Sequence, residues 1–449
     1  MLFNPEFRRH LWLDFSVHRL ILTPLIVGLV VYLAHSLFSD HWAASTAYGI
    51  AWFFIFLWGT RLASEAVIEE VNQGTWDFQR QSTISPWSMA WGKLIGSTSF
   101  SWYGACISLF LYIVLRISGM NSAFSGEIPL HTEIFILVLS GLFTQGLAII
   151  FSLPVLPTLR QGHSNRTFHF FLVAALLGIS FCSYCLSAVQ TPQLLSWYQY
   201  EIAKPPFALT SLGLFVGWML IGLYRGFGRE LQYQAIPWVW AIFTIFCMVY
   251  FSGFAPSNYE QYFSQIKVEG FPYVGGPREM AFLIGILLTY VAVFIDNINV
   301  VRYRKLLARM SENHILESIQ QLPWWVISFV LTFLMGMGVV LFQDPTSQNV
   351  VFSASFIIIC KCFLIRDILL IHYFNFSANP KKAFSTSVIY LFLLYLLIPL
   401  LLKALQLSHW IPALVPSKEN VPLAICSGVV QMAIMGVLVY LRWEKRWKA

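Results

Sequence analysis

The chain has 449 residues, of which 57% are hydrophobic and only 11% are charged, with a formal net charge of +7. Soluble domains carry about 25% charged residues, so this composition excludes a water-soluble enzyme, a disordered chain and a secreted disulfide scaffold. All seven cysteines lie in apolar runs, which argues against a disulfide framework. The basic residues are scattered between those runs and form no continuous stripe. We therefore expect them to anchor the chain at the cytoplasmic face of a membrane, and we expect no nucleic-acid partner.

Twelve apolar segments follow one another along the chain, each close to the ~20 residues that cross ~30 Å of hydrocarbon. They lie at 20–37, 43–60, 94–117, 133–157, 167–188, 206–225, 234–254, 279–297, 324–342, 350–370, 384–403 and 420–441. Most of the 28 lysines and arginines fall in alternate connections, which is the pattern of positively charged cytoplasmic loops. The sequence therefore predicts an all-α integral membrane protein of the inner (cytoplasmic) membrane, with twelve transmembrane helices and both termini in the cytoplasm.

The segment 4–19, before the first apolar run, is amphipathic. Asn4, Pro5 and Glu6 form a helix start, with a capping side chain, a proline in the first turn and an acid near the positive end of the helix dipole. Apolar residues recur every four positions in this region, at Phe3, Phe7, Leu11 and Phe15. The pattern predicts a helix on the cytoplasmic membrane surface, with an ordinary short connector as the alternative.

The segment 61–93 separates the second and third apolar runs and contains clear helix boundaries. Arg61 and Glu65 are spaced to pair on one helical face, so the second span is predicted to continue into the cytosol to about Asn72. Gly74 is suited to end that helix. A second helix then begins at 85–86, where a serine cap precedes a proline in the first turn.

Two aromatic residues, Trp76 and Phe78, lie among polar residues between these helices. Exposed aromatic side chains on a cytoplasmic loop are typical of a docking surface, because buried aromatic anchors dominate interface energy. The alternative is that both rings fold back into the lipid headgroup region.

The segment 361–385 has the same order of features, with charges after an apolar run, an aromatic stretch, and then Asn379 and Pro380 before the next run. Placing Pro380 on Pro86 aligns the flanking segments as well. We infer a weak internal repeat of four-span units, 1–157 and 301–449, separated by four middle spans at 158–300. Parallel repeats are common in transporters, although shared membrane constraints are an alternative explanation.

Lys361 lies inside the tenth apolar segment. An unpaired ammonium group at the centre of a membrane helix costs at least ~2.5 kcal/mol. We therefore expect Lys361 to face protein or a wet cavity, or to extend towards the cytoplasmic interface. Its role is either structural pairing or substrate contact.

The segment 61–93 resembles part of the permease subunits of type-2 ATP-binding-cassette (ABC) transporters. In those subunits, the loop between the second and third spans forms a coupling helix that docks on the ATPase. The matching residues are Glu69, Glu70, Gly74, Thr75, Ile84, Ser85, Pro86, Gly92 and Lys93. The interfacial helix before the first span also matches that layout. The departures are Trp76–Gln81 in place of a leucine-rich stretch, a second segment without Gly-Thr, and twelve spans in place of six. The resemblance implies ATPase docking at Glu69, Glu70, Gly74, Thr75, Trp76, Phe78, Ser85 and Pro86, and by extension at Asn379 and Pro380.

The sequence contains no GxxxxGK[ST] phosphate-binding loop, no HExxH or GxSxG motif, and no paired carboxylates on an outer loop. We therefore expect a permease, most simply an exporter, with no catalytic, cofactor or metal site of its own. ATP and Mg²⁺ belong to a partner ATPase, and the chain either supplies both permease halves or pairs with a second copy or another permease subunit. The alternatives are an ion-coupled secondary transporter, disfavoured because acids are missing from the predicted span centres, and a membrane-embedded glycosyl- or lipid-transferring enzyme.

Overall fold

The computed structural model describes residues 4–38, 40–82, 84–118, 128–156, 167–191, 193–198, 200–233, 237–254, 276–296, 300–312, 318–319, 322–342, 354–377 and 383–448. The chain divides into two compact units, Met1–Leu195 with Ile202–Ala235, and Ser196–Glu201 with Ile236–Ala449. The division into three parts that the sequence predicts stays a prediction.

The first unit begins with a short helix and continues with longer ones. Its helices are α1 (Pro5–Asp14), α2 (Val17–Leu37), α3 (Asp40–Trp52), α4 (Gly59–Glu65), α5 (Ile68–Asn72), α6 (Trp76–Gln81), α7 (Pro86–Gly96), α8 (Ser99–Ile117), α9 (Leu130–Ser152), α10 (Thr167–Gln190) and α11 (Lys204–Glu230). A π-helical turn, Phe53–Trp58, joins α3 to α4. A two-stranded sheet, β1 (Leu194–Trp197) with β2 (Tyr200–Ala203), precedes α11, and its residues Ser196–Glu201 belong to the second unit.

The second unit is mainly helical over its described residues. Its helices are α12 (Trp238–Ser252), α13 (Pro277–Ile295), α14 (Val300–Ser311), α15 (Trp324–Leu341), α16 (Ala354–Asn375), α17 (Ala383–Phe392), α18 (Ile398–Ala404) and α19 (Val421–Lys448). A π-helical turn, Leu393–Leu397, makes α17 and α18 one continuous element.

The described helices confirm an all-α multi-pass membrane protein. Ten helical stretches are long and apolar enough to cross a membrane, including the combined helices 42–72 and 383–404. Two predicted spans are not among the ten. The helix α12 has only 15 residues, which is shorter than the ten spanning stretches. The helix α16 is long enough, but it carries three charged residues, Lys361, Arg366 and Asp367, within its 22 residues. The number of twelve spans and the cytoplasmic termini stay predictions.

Helix boundaries in the segment 61–93 are as predicted from the sequence. Arg61 Nε lies 3.2 Å from a Glu65 carboxylate oxygen, and α5 ends at Asn72. Gly74 has φ +72°, a backbone conformation that favours glycine. The side chain of Ser85 accepts a hydrogen bond from the Ser88 amide and begins α7.

The interfacial helix is shorter than predicted. The Asn4 side chain caps α1, which ends at Asp14 rather than continuing to residue 19. Phe15 has an extended backbone, and Ser16 then caps α2, accepting a hydrogen bond from the Arg19 amide. A second capping residue therefore splits the predicted helix in two.

Polar side chains satisfy the backbone at the π-helical turn of the first unit. Gln145 Nε2 donates a 3.1 Å hydrogen bond to the Ile55 carbonyl, and the Ser101 hydroxyl donates to the Phe54 carbonyl. Gln145 Oε1 in turn accepts from Trp102 Nε1 at 2.9 Å. Because a π turn disturbs the helical hydrogen-bond ladder, these contacts hold α3, α8 and α9 in register.

The predicted loop 361–385 is helical as far as Asn375, and this helix contains a buried acid, Asp367, near the end of the tenth predicted span. Asp367 is fully buried within α16, where Arg366 pairs with it at 2.8 Å. Tyr290 and Tyr395 each donate a 2.5 Å hydrogen bond to its other oxygen. The charges do not end the helix because neighbouring side chains neutralise and hydrogen-bond them.

Candidate functional site

The candidate site is the junction of α1, α5, α6 and α7 in the first unit. Two glycines of α7 allow α1 to lie close against it. A Cβ atom at Gly92 would lie 2.5 Å from the Cβ of Glu6, and one at Gly96 would lie 3.1 Å from a ring carbon of His10. Any larger residue at Gly92 would push α1 away, so this pair of small residues places Glu6 and His10 against α7.

Asn4 fixes the start of α1 on α7. Its side-chain oxygen accepts hydrogen bonds from the amides of Glu6 and Phe7, and its Nδ2 donates to the Ser88 carbonyl at 2.7 Å. The capping residue found in the sequence therefore also serves as a contact between helices.

A buried ion network joins the three helices. Lys93 Nζ on α7 lies 3.1 Å from a Glu6 carboxylate oxygen on α1, and it also contacts the carboxylate of Glu70 on α5. Arg9 bridges the same two carboxylates, 3.4 Å from Glu6 and in direct contact with Glu70. Lys93, Glu6 and Glu70 are all buried. Two cations and two carboxylates thus balance in a site shielded from water, where Coulomb interactions are strong.

The environment changes the ionisation of the two basic groups. Burial lowers the pKa of Lys93 to about 7; Glu6 opposes this shift, and Arg9 adds to it. Burial, followed by the charges of Lys93 and Arg9, lowers the pKa of His10 to about 3. His10 is therefore neutral at physiological pH, and at Lys93 the Glu6 carboxylate favours the protonated form against the effects of burial and of Arg9.

Glu6, His10 and Glu70 bring potential metal-ligand atoms within 4.8 Å of one another. Both carboxylates, however, already contact Lys93 and Arg9. A divalent ion would have to displace these cations or add to their charge, so the side chains present fit an ion network better than a metal centre.

The expectation that Trp76 is exposed is wrong. Its side chain is 1% exposed, packs against the ring of Phe227 on α11 and lies under the Lys93 ammonium, 5.7 Å from the ring centre. Trp76 therefore anchors α6 to the unit from inside and is not itself free to contact a partner. Phe78, two residues later, is 77% exposed, as predicted.

The outer side of α6 carries polar groups beside Phe78. Arg80 pairs with Asp77 at 3.3 Å, and its Nε donates to the Glu230 carbonyl at the end of α11 at 2.9 Å. Together with Gln81, Leu231 and Gln232, these residues line a groove of about 380 Å³. The helix thus presents one exposed aromatic ring beside a polar groove, and both belong to the same unit.

The remaining predicted residues divide between surface and interior. Glu69 and Ser85 are exposed, whereas Pro86 is buried. The hydroxyl of Thr75 donates to the Glu70 carbonyl at 3.3 Å and so closes the turn that contains Gly74. Asn379 and Pro380 lie outside the described residues.

Lys361 contacts α15. Its Nζ lies 4.0 Å from the centre of the Phe333 ring, and a Cβ at Gly336 would lie 2.7 Å from its Cε. Gly336 thus provides the space in which the long side chain of Lys361 lies across the neighbouring helix.

Sequence reasoning missed the ion network, although it singled out Glu6, Glu70 and Lys93 individually. One signal was present: Glu6 and His10 are four residues apart, on one face of α1. The other was the spacing of Gly92 and Gly96, a pattern typical of close helix packing. Neither signal identifies the partners, because α1, α5 and α7 are brought together by the fold.

Comparison with known protein families, with curated proteins and with solved structures finds no match for this chain.

Proposed function

We propose that this chain is the membrane permease of an ABC-type transporter, an exporter, driven by a separate P-loop ATPase that docks on α6. The observation that carries the proposal is the ion network directly behind α6. Trp76 of α6 lies under Lys93, and Lys93 pairs with Glu70 and Glu6. Force applied to α6 therefore reaches α5, α7 and α1 through contacts between side chains.

These three helices lead to three elements long enough to span a membrane. The helix α5 ends the stretch Trp42–Asn72, α7 precedes α8, and α1 precedes α2. Movement of the ATPase would tilt these elements together, because buried charges resist separation from their partners. ATP and Mg²⁺ are bound by the ATPase, and this chain supplies the path across the cytoplasmic membrane. Its second permease half is either its own second unit, a second copy, or another subunit.

The test is co-purification of the intact chain with a P-loop ATPase in mild detergent, followed by measurement of ATP hydrolysis. Phe78→Ala should weaken the complex by about tenfold or more, the usual effect of losing a central aromatic anchor. Its unfolding temperature should stay unchanged, because the ring is exposed. Trp12→Ala is the matched control, since it removes an exposed aromatic ring from α1, which the predicted topology places on the same cytoplasmic side.

Trp76→Ala tests the buried side of α6, which holds the helix in place, whereas Phe78→Ala tests its exposed side. We expect it to lower stability by about 3–5 kcal/mol, the range for truncating a buried aromatic residue. The proposal fails if wild-type protein retains no P-loop ATPase, or if Phe78→Ala and Trp12→Ala leave the complex equally intact.

Asp367 favours a second candidate, an ion-coupled secondary transporter, because such proteins use buried intramembrane acids. In that case a proton or sodium gradient would drive transport in vesicles without ATP, and Asp367→Asn would abolish it. The pairing of Asp367 with Arg366 disfavours this function, since the carboxylate is already neutralised and hydrogen-bonded.

A further inference from the structure

An apolar groove of about 460 Å³ lies between α2 and α8. Pro24 and Gly28 line it from α2, and Tyr103, Cys106, Ile107, Phe110 and Leu111 line it from α8. Both helices are of membrane-spanning length. In a membrane, the groove therefore faces lipid acyl chains.

The end of the groove nearest α1 is held open by a proline and a tyrosine. Pro24 has no amide proton, so the Leu20 carbonyl, four residues earlier, lacks its helical partner. The Tyr103 hydroxyl of α8 donates to that carbonyl at 2.8 Å. This hydrogen bond fixes the two walls relative to each other without filling the space between them.

Gly28 leaves the middle of the groove empty. A Cβ atom at this position would have no neighbour within 4 Å. Cys106 lines the same groove and is one of two exposed cysteines, the other being Cys426 on α19. A larger side chain at Gly28 would therefore fill the groove. The reactivity of the Cys106 thiol can report whether the groove is occupied.

Two charged residues lie close to the Leu20 end of the groove, which we call its mouth, because Arg19 directly precedes Leu20 in α2 and contacts Asp14. Arg19 is exposed, and its guanidinium lies 5.7 Å from the centre of the Phe100 ring, which in turn lies 6.5 Å from that of Tyr103. One guanidinium nitrogen donates to the Asp14 carbonyl at 3.2 Å. The Asp14 carboxylate lies near Arg19 without forming an ion pair with it among the described contacts. Burial raises the pKa of the Asp14 carboxyl, and Arg19 opposes the shift.

We propose that this groove binds one acyl chain of a phosphatidylethanolamine molecule, with the lipid phosphate on Arg19 and its ammonium group on Asp14. The phosphate requires a cation at the mouth, and guanidinium groups bind phosphate through charge-assisted hydrogen bonds. The ethanolamine ammonium donates hydrogen bonds that a choline group cannot donate, which matches the acceptor oxygens of Asp14. The lipid belongs to the leaflet that faces α1.

The first test is native mass spectrometry of the delipidated full chain, titrated with phosphatidylethanolamine, phosphatidylcholine or phosphatidylglycerol carrying identical acyl chains. Wild type should retain one phosphatidylethanolamine, with about tenfold weaker retention of the other two lipids. Gly28→Leu should lose this lipid, because the new side chain fills the groove. Gly436→Leu is the matched control, since a Cβ there also meets nothing within 4 Å, on a different helix. Arg19→Gln should weaken retention about tenfold, and Lys305→Gln should not.

The second test does not depend on the folding of a variant. Alkylation of Cys106 by N-ethylmaleimide in wild-type protein should slow by about tenfold when phosphatidylethanolamine is added, whereas alkylation of Cys426 should not change.

Equal loss of lipid in Gly28→Leu and Gly436→Leu, or unchanged Cys106 alkylation, would overturn the groove as the binding site. Equal retention of the three headgroups would overturn the pairing with Asp14. If Gly28→Leu instead converted a dimer to a monomer and kept its lipid, the occupant would be a second copy of the chain.

Discussion

Lys93 is the residue on which the ion network depends, because it is completely buried and contacts both carboxylates. Lys93→Met removes one cation and leaves Glu6 and Glu70 with Arg9 alone. We expect a loss of about 3–5 kcal/mol in the free energy of unfolding, the usual effect of breaking a buried ion pair from one side. Combining Lys93→Met with Glu70→Gln should recover part of the loss. Denaturant titration in detergent measures both variants, and an unchanged single variant would contradict the network.

His10 makes stability depend on pH. Burial lowers the folded-state pKa of His10 from its ordinary value of 6.5 to about 3, so below pH 6.5 the unfolded chain binds the proton and the folded chain does not. Stability is therefore lost as the pH falls from 6.5 towards 3. The unfolding temperature of wild type should drop between pH 7 and 5, and His10→Gln should flatten that slope.

His18→Gln is the control for this measurement, because His18 is exposed at the start of α2. It should keep the wild-type slope. A slope that survived in His10→Gln would assign the pH dependence to other groups.

Trp76 shows what sequence alone does not reveal about a residue. The sequence correctly identified the segment around it and the exposure of Phe78. The side chain of Trp76 is buried because Phe227, about 150 residues later in the chain, packs against it. Local pattern carries no information about such a contact. Gly74 and Ser85 were predictable because their roles depend only on neighbouring residues.

The helix α16 contains a pair of charged residues, Arg366 and Asp367, near the end of the tenth span predicted from the sequence. Arg366 donates to the Leu414 carbonyl, to Gln431 and to Tyr395, and it pairs with Asp367. The pair therefore connects α16 to α19 and to the π-helical turn. The local sequence does not predict these partners, because they lie 28–65 residues away in the chain.

This arrangement predicts a strong coupling between the two charges. Asp367→Asn alone leaves the Arg366 guanidinium without its anion and should cost about 3–5 kcal/mol of stability. Replacing both residues together, as Arg366→Met with Asp367→Leu, should cost less than the sum of the two single changes. A double-mutant cycle of unfolding free energies measures the coupling, and simple additivity would contradict it.

At the scale of the whole chain, the ten membrane-length helices support a multi-pass protein, and the side on which each loop lies is set by charge. Reporter fusions test this arrangement. Fusions after Lys93, Arg229, Arg309 and Lys382 should be cytoplasmic, and fusions near Ser39, Asn121, Glu260 and Gln348 should be external. Two or more reversals would contradict the twelve-span topology.

In the proposed mechanism, α6 is the surface through which a P-loop ATPase drives transport. The most direct measurement places a photo-crosslinking amino acid at position 78 in the full chain, in cells, and identifies the captured partner by mass spectrometry. Position 78 should capture a P-loop ATPase, and position 12, which is exposed on α1 and cytoplasmic in the predicted topology, should not. Capture at both positions, or at neither, would contradict the claim.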